Sequence, residues 1–128
     1  MSATNYGGVL ANDATTGIGY TKGAGGTVTQ ATDKSTGVTL NKLSGAITMN
    51  NAALAAGAEA TFTVTNSAVA ATDVAIVVHQ SAGTSGAYLV GASNFTAGSF
   101  DITVSNVSAG SLSEAIVIGF AVIKASAA

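Results

Sequence analysis

Apolar and polar residues alternate along most of the chain after Gly26, and a period of two is typical of strands with one buried face. The clearest examples are residues 61–65 and 100–105, where apolar side chains are separated by Thr, Asp or Ser. In residues 74–79 and 116–123 every position except His79 and Gly119 is apolar, which predicts strands covered on both faces. Weaker patterns cover residues 27–30, 38–40, 46–49 and 87–92.

These eight segments are separated by breakers such as Gly57-Ala58, residues 82–86 and Ala97-Gly98. Short strands rich in β-branched residues predict an all-β fold: a single β-sandwich of about eight antiparallel strands, with a jelly-roll-like topology as one arrangement. The same period predicts a core made of Phe62, Val64, Val74, Ile76, Val78, Ile102, Val104, Ile116, Ile118, Phe120 and Val122.

One short helical turn is predicted between the third and fourth strands. Asn50 or Asn51 can cap its start, the Ala-rich residues 52–56 are good helix formers, and Gly57 can adopt the left-handed conformation that ends a helix.

Residues 1–25 differ from the rest and predict an N-terminal arm, leaving residues 26–128 as the sandwich domain. The arm is rich in Gly, Asn and Thr, and its end contains the glycines of residues 23–26. A solvated tail needs no large apolar side chains, so the isolated ones are predicted to anchor the arm on a partner. They are Tyr6, Val9, Leu10, Ile18 and Tyr20.

Composition narrows the classes of function. Hydrophobic residues make up 48% of the chain and charged residues 8%, which does not fit intrinsic disorder. Four Lys or Arg residues and a net charge of −2 offer no basic patch, so we expect no nucleic-acid partner. The longest strongly apolar run, residues 115–123, is too short to span a membrane, and the N-terminus lacks the features of a secretory signal. We therefore expect synthesis in the cytoplasm and no membrane association.

The search for catalytic chemistry finds no site. His79 is the only histidine, Cys is absent, and Asp13, Asp33, Asp73 and Asp101 are far apart in sequence. Zinc and calcium sites need several converging ligands, and a catalytic triad needs a His held between a carboxylate and a nucleophile. We expect no catalytic residue, no metal, no cofactor and no small-molecule substrate, and a structural role for His79.

The chain also contains apolar residues beyond what one small sandwich can cover, namely Leu89, Val90, Val117 and Ile123. A surface with few charges can pack against another protein at little cost in charge desolvation. A homotrimer with cyclic symmetry would bury this surplus.

Several stretches resemble a small group of tailed-bacteriophage virion proteins that includes capsid decoration, or cement, proteins. They are residues 19–30, 34–42, 45–50, 106–115 and 116–124, and the resemblance covers most of residues 17–125. It implies a β-sandwich on the capsid exterior, usually as a homotrimer, with the major capsid protein as partner and without catalytic residues.

Two functions remain open at this stage. The first is a decoration protein that stabilises the capsid by binding across major capsid protein subunits. The second is a head-fibre or tail-fibre tip domain that recognises a host surface receptor. The arm, the scarcity of aromatic residues and the lack of a fibrous stalk before the domain favour decoration.

Overall fold

The computed structural model describes residues 10–127, in which two four-stranded sheets pack face to face. The predicted all-β sandwich is therefore confirmed. A 3₁₀ turn at Lys22–Ala24 precedes the first strand, and no α-helix occurs within residues 10–127. The strands are β1 (Gly25–Thr29), β2 (Val38–Thr39), β3 (Ser44–Thr48), β4 (Glu59–Thr65), β5 (Val74–Ser81), β6 (Tyr88–Thr96), β7 (Ser99–Asn106) and β8 (Val117–Ile123).

The strand order is β1-β3-β8-β5 in one sheet, here sheet 1, and β2-β4-β7-β6 in the other, sheet 2. Within residues 10–127 the chain changes sheet at almost every connection, and only β6 and β7 form a hairpin, closed by Gly98 at φ 93°. Each crossing between the sheets reverses the direction of the chain. After two crossings a strand therefore lies in the original sheet and runs in the original direction. For that reason β1 and β3 are parallel, as are β2 and β4, whereas the other four pairs are antiparallel. The two parallel edge pairs distinguish the topology from a purely antiparallel jelly roll.

The core lies between the sheets and contains most of the predicted residues. The rings of Phe95 and Phe120 both contact that of Phe100, with centroids 5.1 and 5.9 Å apart. Eight of the eleven predicted core residues are buried: Phe62, Val64, Ile102, Val104, Ile116, Ile118, Phe120 and Val122.

The other three predicted core residues, Val74, Ile76 and Val78, are exposed, so that part of the prediction is wrong. In β5 the alternate residues Ala75 and Val77 pack against the core. They lie opposite Val122 and Phe120 of β8, whose side chains point inward. A sandwich has two layers, so each strand can bury only one face against the other sheet. Both faces of β5 are apolar, and its period therefore does not reveal which one faces inward.

The same limit applies to β8. It lies between β3 and β5, as expected for a central strand. Ile118, Phe120 and Val122 are buried, but Val117 and Ala121 are only half-buried and Ile123 is exposed, so the prediction of burial on both faces is wrong.

The predicted helical turn at residues 52–56 is also wrong. Leu54 is buried and forms a β-bridge with Leu112, with backbone hydrogen bonds of 2.8 and 3.1 Å in the two directions. This tertiary pairing outweighs the helix propensity of the alanines, which is small over so few residues. Asn50 does accept a hydrogen bond from the Ala52 amide, and Gly57 has φ 74°.

Buried polar groups join the loops between the sheets. Lys34 is buried, and its amine donates to the carbonyl oxygens of Asn50 and, at 2.6 Å, Glu114. Burial lowers the pKa of Lys34. Asn106 donates to the carbonyls of Leu54 and Gly110 at 2.8 and 2.9 Å. No helix in the described part of the chain is long and apolar enough to cross a membrane.

Candidate interaction surface

A set of hydrogen-bonded residues, here called the loop latch, holds the loop between β5 and β6; it consists of His79, Thr84, Tyr88 and Glu114. His79 Nε2 lies 2.6 Å from the Ala82 carbonyl oxygen, and the ring meets Tyr88 edge-on. The Tyr88 hydroxyl donates to Glu114 at 2.8 Å, and Glu114 also accepts hydrogen bonds from the Thr84 amide and hydroxyl. These contacts hold the loop between β5 and β6, where Ala82, Gly83 and Gly86 have positive φ.

The electrostatics of this latch agree with a structural role. Burial and the neighbouring Glu114 carboxylate raise the pKa of Tyr88 to about 12. The hydrogen bonds from Tyr88 and Thr84 lower the pKa of Glu114. Tyr88 therefore stays protonated and Glu114 ionised at neutral pH. Among residues 10–127 no three His, Cys, Asp or Glu side chains lie together in a way that could hold a metal ion.

The most distinctive surface is the outer face of sheet 1. The strands β1, β3, β5 and β8 contain no Asp, Glu or Lys. Their single titratable side chain, His79, alternates with the exposed residues of β5 and contacts Tyr88. The outer face of sheet 1 therefore presents apolar and hydroxyl groups without a charge.

One side of this face is a ridge formed by β5. Val74, Ile76 and Val78, here called the β5 ridge, are 49%, 57% and 47% exposed. In register with them on β8 are Ile123, Ala121 and Gly119. Three β-branched side chains are therefore partly in solvent, although burying them would be favourable. Beside Ile76 and Val78 the neighbours on β8 are smaller, whereas Val74 lies beside Ile123, which is also exposed.

Beside the ridge is a shallow depression of about 460 Å³, here called the sheet 1 groove. Small residues of β1, β3 and β8 form its floor, among them Gly25, Ala46 and Gly119, and Ile76 and Val78 form one wall. Gln80 covers Gly119 so closely that a Cβ there would lie 2.9 Å from Gln80 Oε1. The lack of a side chain at Gly119 thus lets Gln80 close one end of the groove.

The described part of the arm leaves from one end of sheet 1. The Tyr20 hydroxyl donates to the carbonyl oxygen of Val122 in β8, next to the point where the Val122 amide donates to Leu43. Before Tyr20, Leu10 and Ile18 are 71% and 75% exposed. In between, Asp13 accepts hydrogen bonds from the amides of Thr15 and Thr16, which lower its pKa to about 2.

The structure thus separates the predicted anchor residues. Tyr20 contacts this chain's own sheet, Leu10 and Ile18 are exposed, and Tyr6 and Val9 lie outside the described residues. Sequence reasoning missed the β5 ridge, although a signal was present. An uncharged strand that is apolar on both faces must leave one apolar face uncovered in a two-layer sandwich.

Comparison with known proteins provides no relative: no family model, no curated protein and no solved structure matches the chain.

Proposed function

We propose that this chain is a structural virion protein that decorates a bacteriophage capsid and stabilises it by binding across major capsid protein subunits. The phage context comes from the sequence resemblance, which covers most of residues 17–125. The observation that carries the proposal is the pairing of an uncharged, partly apolar sheet face with an arm that exposes Leu10 and Ile18. Both features suit permanent assembly on a protein surface.

The lack of charge matters because capsid contacts are large and long-lived. Removing an ion from water costs several kcal/mol unless a partner compensates for it. A sheet whose strands contain no Asp, Glu or Lys avoids that cost. Its β-branched side chains instead contribute about 25 cal/mol for each Å² of apolar surface that a partner covers.

The arm is proposed to reach a neighbouring capsid subunit. Tyr20 sets the point of departure by its hydrogen bond to Val122, and residues 10–19 could extend up to about 35 Å from it. Ordering each residue costs about 1–2 kcal/mol of backbone entropy, more than Leu10 and Ile18 alone can offset. Binding of the sandwich domain would supply the remainder by raising the local concentration of the arm at its site.

A capsid-binding assay tests this proposal. Purified full-length protein and a variant lacking residues 1–19 are added to capsids without the protein, and bound copies are counted. We expect the truncated variant to melt at nearly the same temperature and to bind at least tenfold more weakly. The double substitution Leu10→Asp and Ile18→Asp should weaken binding similarly, whereas the matched control Ala11→Asp and Gly17→Asp should not. Undiminished binding of the truncated variant would refute the role of the arm.

A fibre-tip domain that recognises a host receptor is the alternative function, and the outer face of sheet 2 favours it. Hydroxyl, amide and carboxylate groups lie together there, with Asp101 accepting hydrogen bonds from Thr63 at 2.8 Å and Asn94 at 3.1 Å. Such groups can contact a glycan. The number of copies per virion separates the two functions: decoration requires copies over the whole capsid lattice, whereas a fibre tip requires copies only at the fibres.

A further inference from the structure

We propose that the outer face of sheet 1 binds a second copy of this chain, with the β5 ridge of one copy in the sheet 1 groove of the other. The proposed function offers the same face to the capsid, so a capsid subunit and a second copy would compete for it, and the contact between copies is tested on the protein alone. The homotrimer predicted from the sequence is one closed assembly that could use it, and a two-fold pair is another.

The shape of the face supports self-association. The ridge stands over β5, and the groove lies beside it, over β3 and β8. A two-fold axis that lies between two copies and parallel to their strands places the two faces opposite each other. It also puts the ridge of one copy on the side where its partner has the groove. Each ridge then lies over the partner's groove, so both contacts form at once, as an isologous interface requires. In a ring of three copies, the ridge of each copy would lie in the groove of the next copy around the axis.

Electrostatics also favour a second copy on this face. Each copy has a net charge of −2, so two copies repel weakly wherever their acidic groups meet. The strands of sheet 1 contribute no Asp or Glu, whereas sheet 2 contributes Glu59 and Asp101. Sheet 1 is therefore the face through which two copies can meet without opposing like charges or desolvating an ion.

The available area predicts the strength of the contact. Four strands about 4.8 Å apart, with about 3.3 Å per residue along β5, give a footprint of at most about 500 Å² per copy. Two copies together would bury at most about 1,000 Å², the lower limit for a specific interface with good complementarity. Contacts of this size are typically weak and transient, so we expect association that reverses on dilution.

Engineered cysteines test the geometry, since the chain has none of its own. Val78→Cys on the ridge and Ala46→Cys in the groove lie at the same level along the strands, because both residues are in register with Gly119. The two variants are purified separately, mixed and oxidised. We expect a disulfide between the two variants, whereas Leu89→Cys, which is 64% exposed on sheet 2, should cross-link with neither. If Val78→Cys links mainly to itself, the β5 edges meet each other and the proposal is wrong.

The mass in solution tests the association itself. Light scattering of the wild-type protein should show a concentration-dependent mass of two or three copies. Ile76→Lys should raise the dissociation constant at least tenfold, whereas the matched control Leu89→Lys should behave as wild type. Both side chains are exposed, so both variants should keep the wild-type melting temperature at a concentration where all three proteins are monomeric. A wild-type mass of one copy up to millimolar concentration, or equal effects of the two lysines, would overturn the proposal. Capsid binding is measured separately, so either proposal can fail without the other.

Discussion

The two outer faces of the sandwich are each built from four strands but differ in chemistry. On sheet 2, polar side chains pair across neighbouring strands: Thr61 with Thr103 at 2.7 Å and Thr63 with Asp101 at 2.8 Å. On sheet 1, the corresponding positions of β5 carry Val74, Ile76 and Val78. In both sheets the outward residues alternate along the strands with residues that pack into the same core. Packing inside the sandwich therefore does not account for the difference.

The comparison shows which side chains suit a sheet face that remains in water. A face that remains in water gains from polar side chains that bond to one another and to water, as sheet 2 has. Threonine and valine have nearly the same shape and similar strand propensity, so β5 could carry Thr at its outer positions without harm to the strand. Exposed apolar faces are typical of binding surfaces, which agrees with the contact that we propose for sheet 1.

The largest expected effect comes from the core that the two faces share. Phe120→Ala removes a buried ring that contacts Phe100 and should lower the free energy of unfolding by about 3–5 kcal/mol. The matched change on the ridge, Val78→Ala, should cost less than about 1 kcal/mol because that side chain is half in solvent. Denaturant titration of both variants measures the contrast. Similar losses would mean that the β5 ridge is covered within a single copy.

Making sheet 2 resemble sheet 1 should give it the same tendency to associate. The triple substitution Thr61→Val, Thr63→Val and Thr103→Val removes exposed hydroxyls whose hydrogen bonds stabilise the fold by at most about 1 kcal/mol each. We expect a folded protein whose mass rises above that of the wild type at equal concentration, measured by light scattering. Combined with Ile76→Lys, the triple variant should still associate, now through sheet 2. If it instead stays as monomeric as Ile76→Lys alone, apolar surface by itself does not drive association.

A smaller effect is expected in acid, and it concerns the ends of sheet 1. The hydrogen bond from Lys124, at 2.6 Å, and that from the Ala70 amide lower the pKa of Asp73, and Tyr88 and Thr84 lower that of Glu114. The unfolded chain therefore binds protons more readily than the folded one at these groups. Their contribution is complete above the unfolded values, about pH 4, and is lost as the pH falls through the lower folded values.

Melting temperatures measured from neutral pH down to about pH 2 check this prediction. Asp73→Asn should remove part of the acid loss. Asp13→Asn is the matched control, because Asp13 also has a lowered pKa but bonds only to Thr15 and Thr16 within the exposed arm. An acid loss that is unchanged in Asp73→Asn would show that other carboxyl groups control it. Self-association should not depend on salt, since no carboxylate or lysine lies in the strands of sheet 1.

The sequence predicted all eight strands, because alternation is a local property that each segment carries by itself. It did not predict the parallel edge pairs, which result from the order in which the chain crosses between sheets. Nor did it predict the extended path at Leu54, where a bridge to Leu112 decides the conformation from a distance of 58 residues in sequence. Of the candidate binding residues, Leu10 and Ile18 were identified because they are isolated in a polar segment, and both are exposed. The arm's Tyr20 was identified by the same reasoning, but it is attached to Val122 of this chain.

The alternation of β4 and β7 determined which of their faces is buried. Only one face of each strand is apolar, and the hydrophobic effect favours burying that face. For β5 and β8, where both faces are apolar, the pattern determined only that they are strands. Tertiary structure chose the inner face: the register with β8 places Ala75 and Val77 over the core and leaves Val74, Ile76 and Val78 outside. The physical reason is that a two-layer sandwich can cover one face of each strand, so the second apolar face of β5 remains exposed.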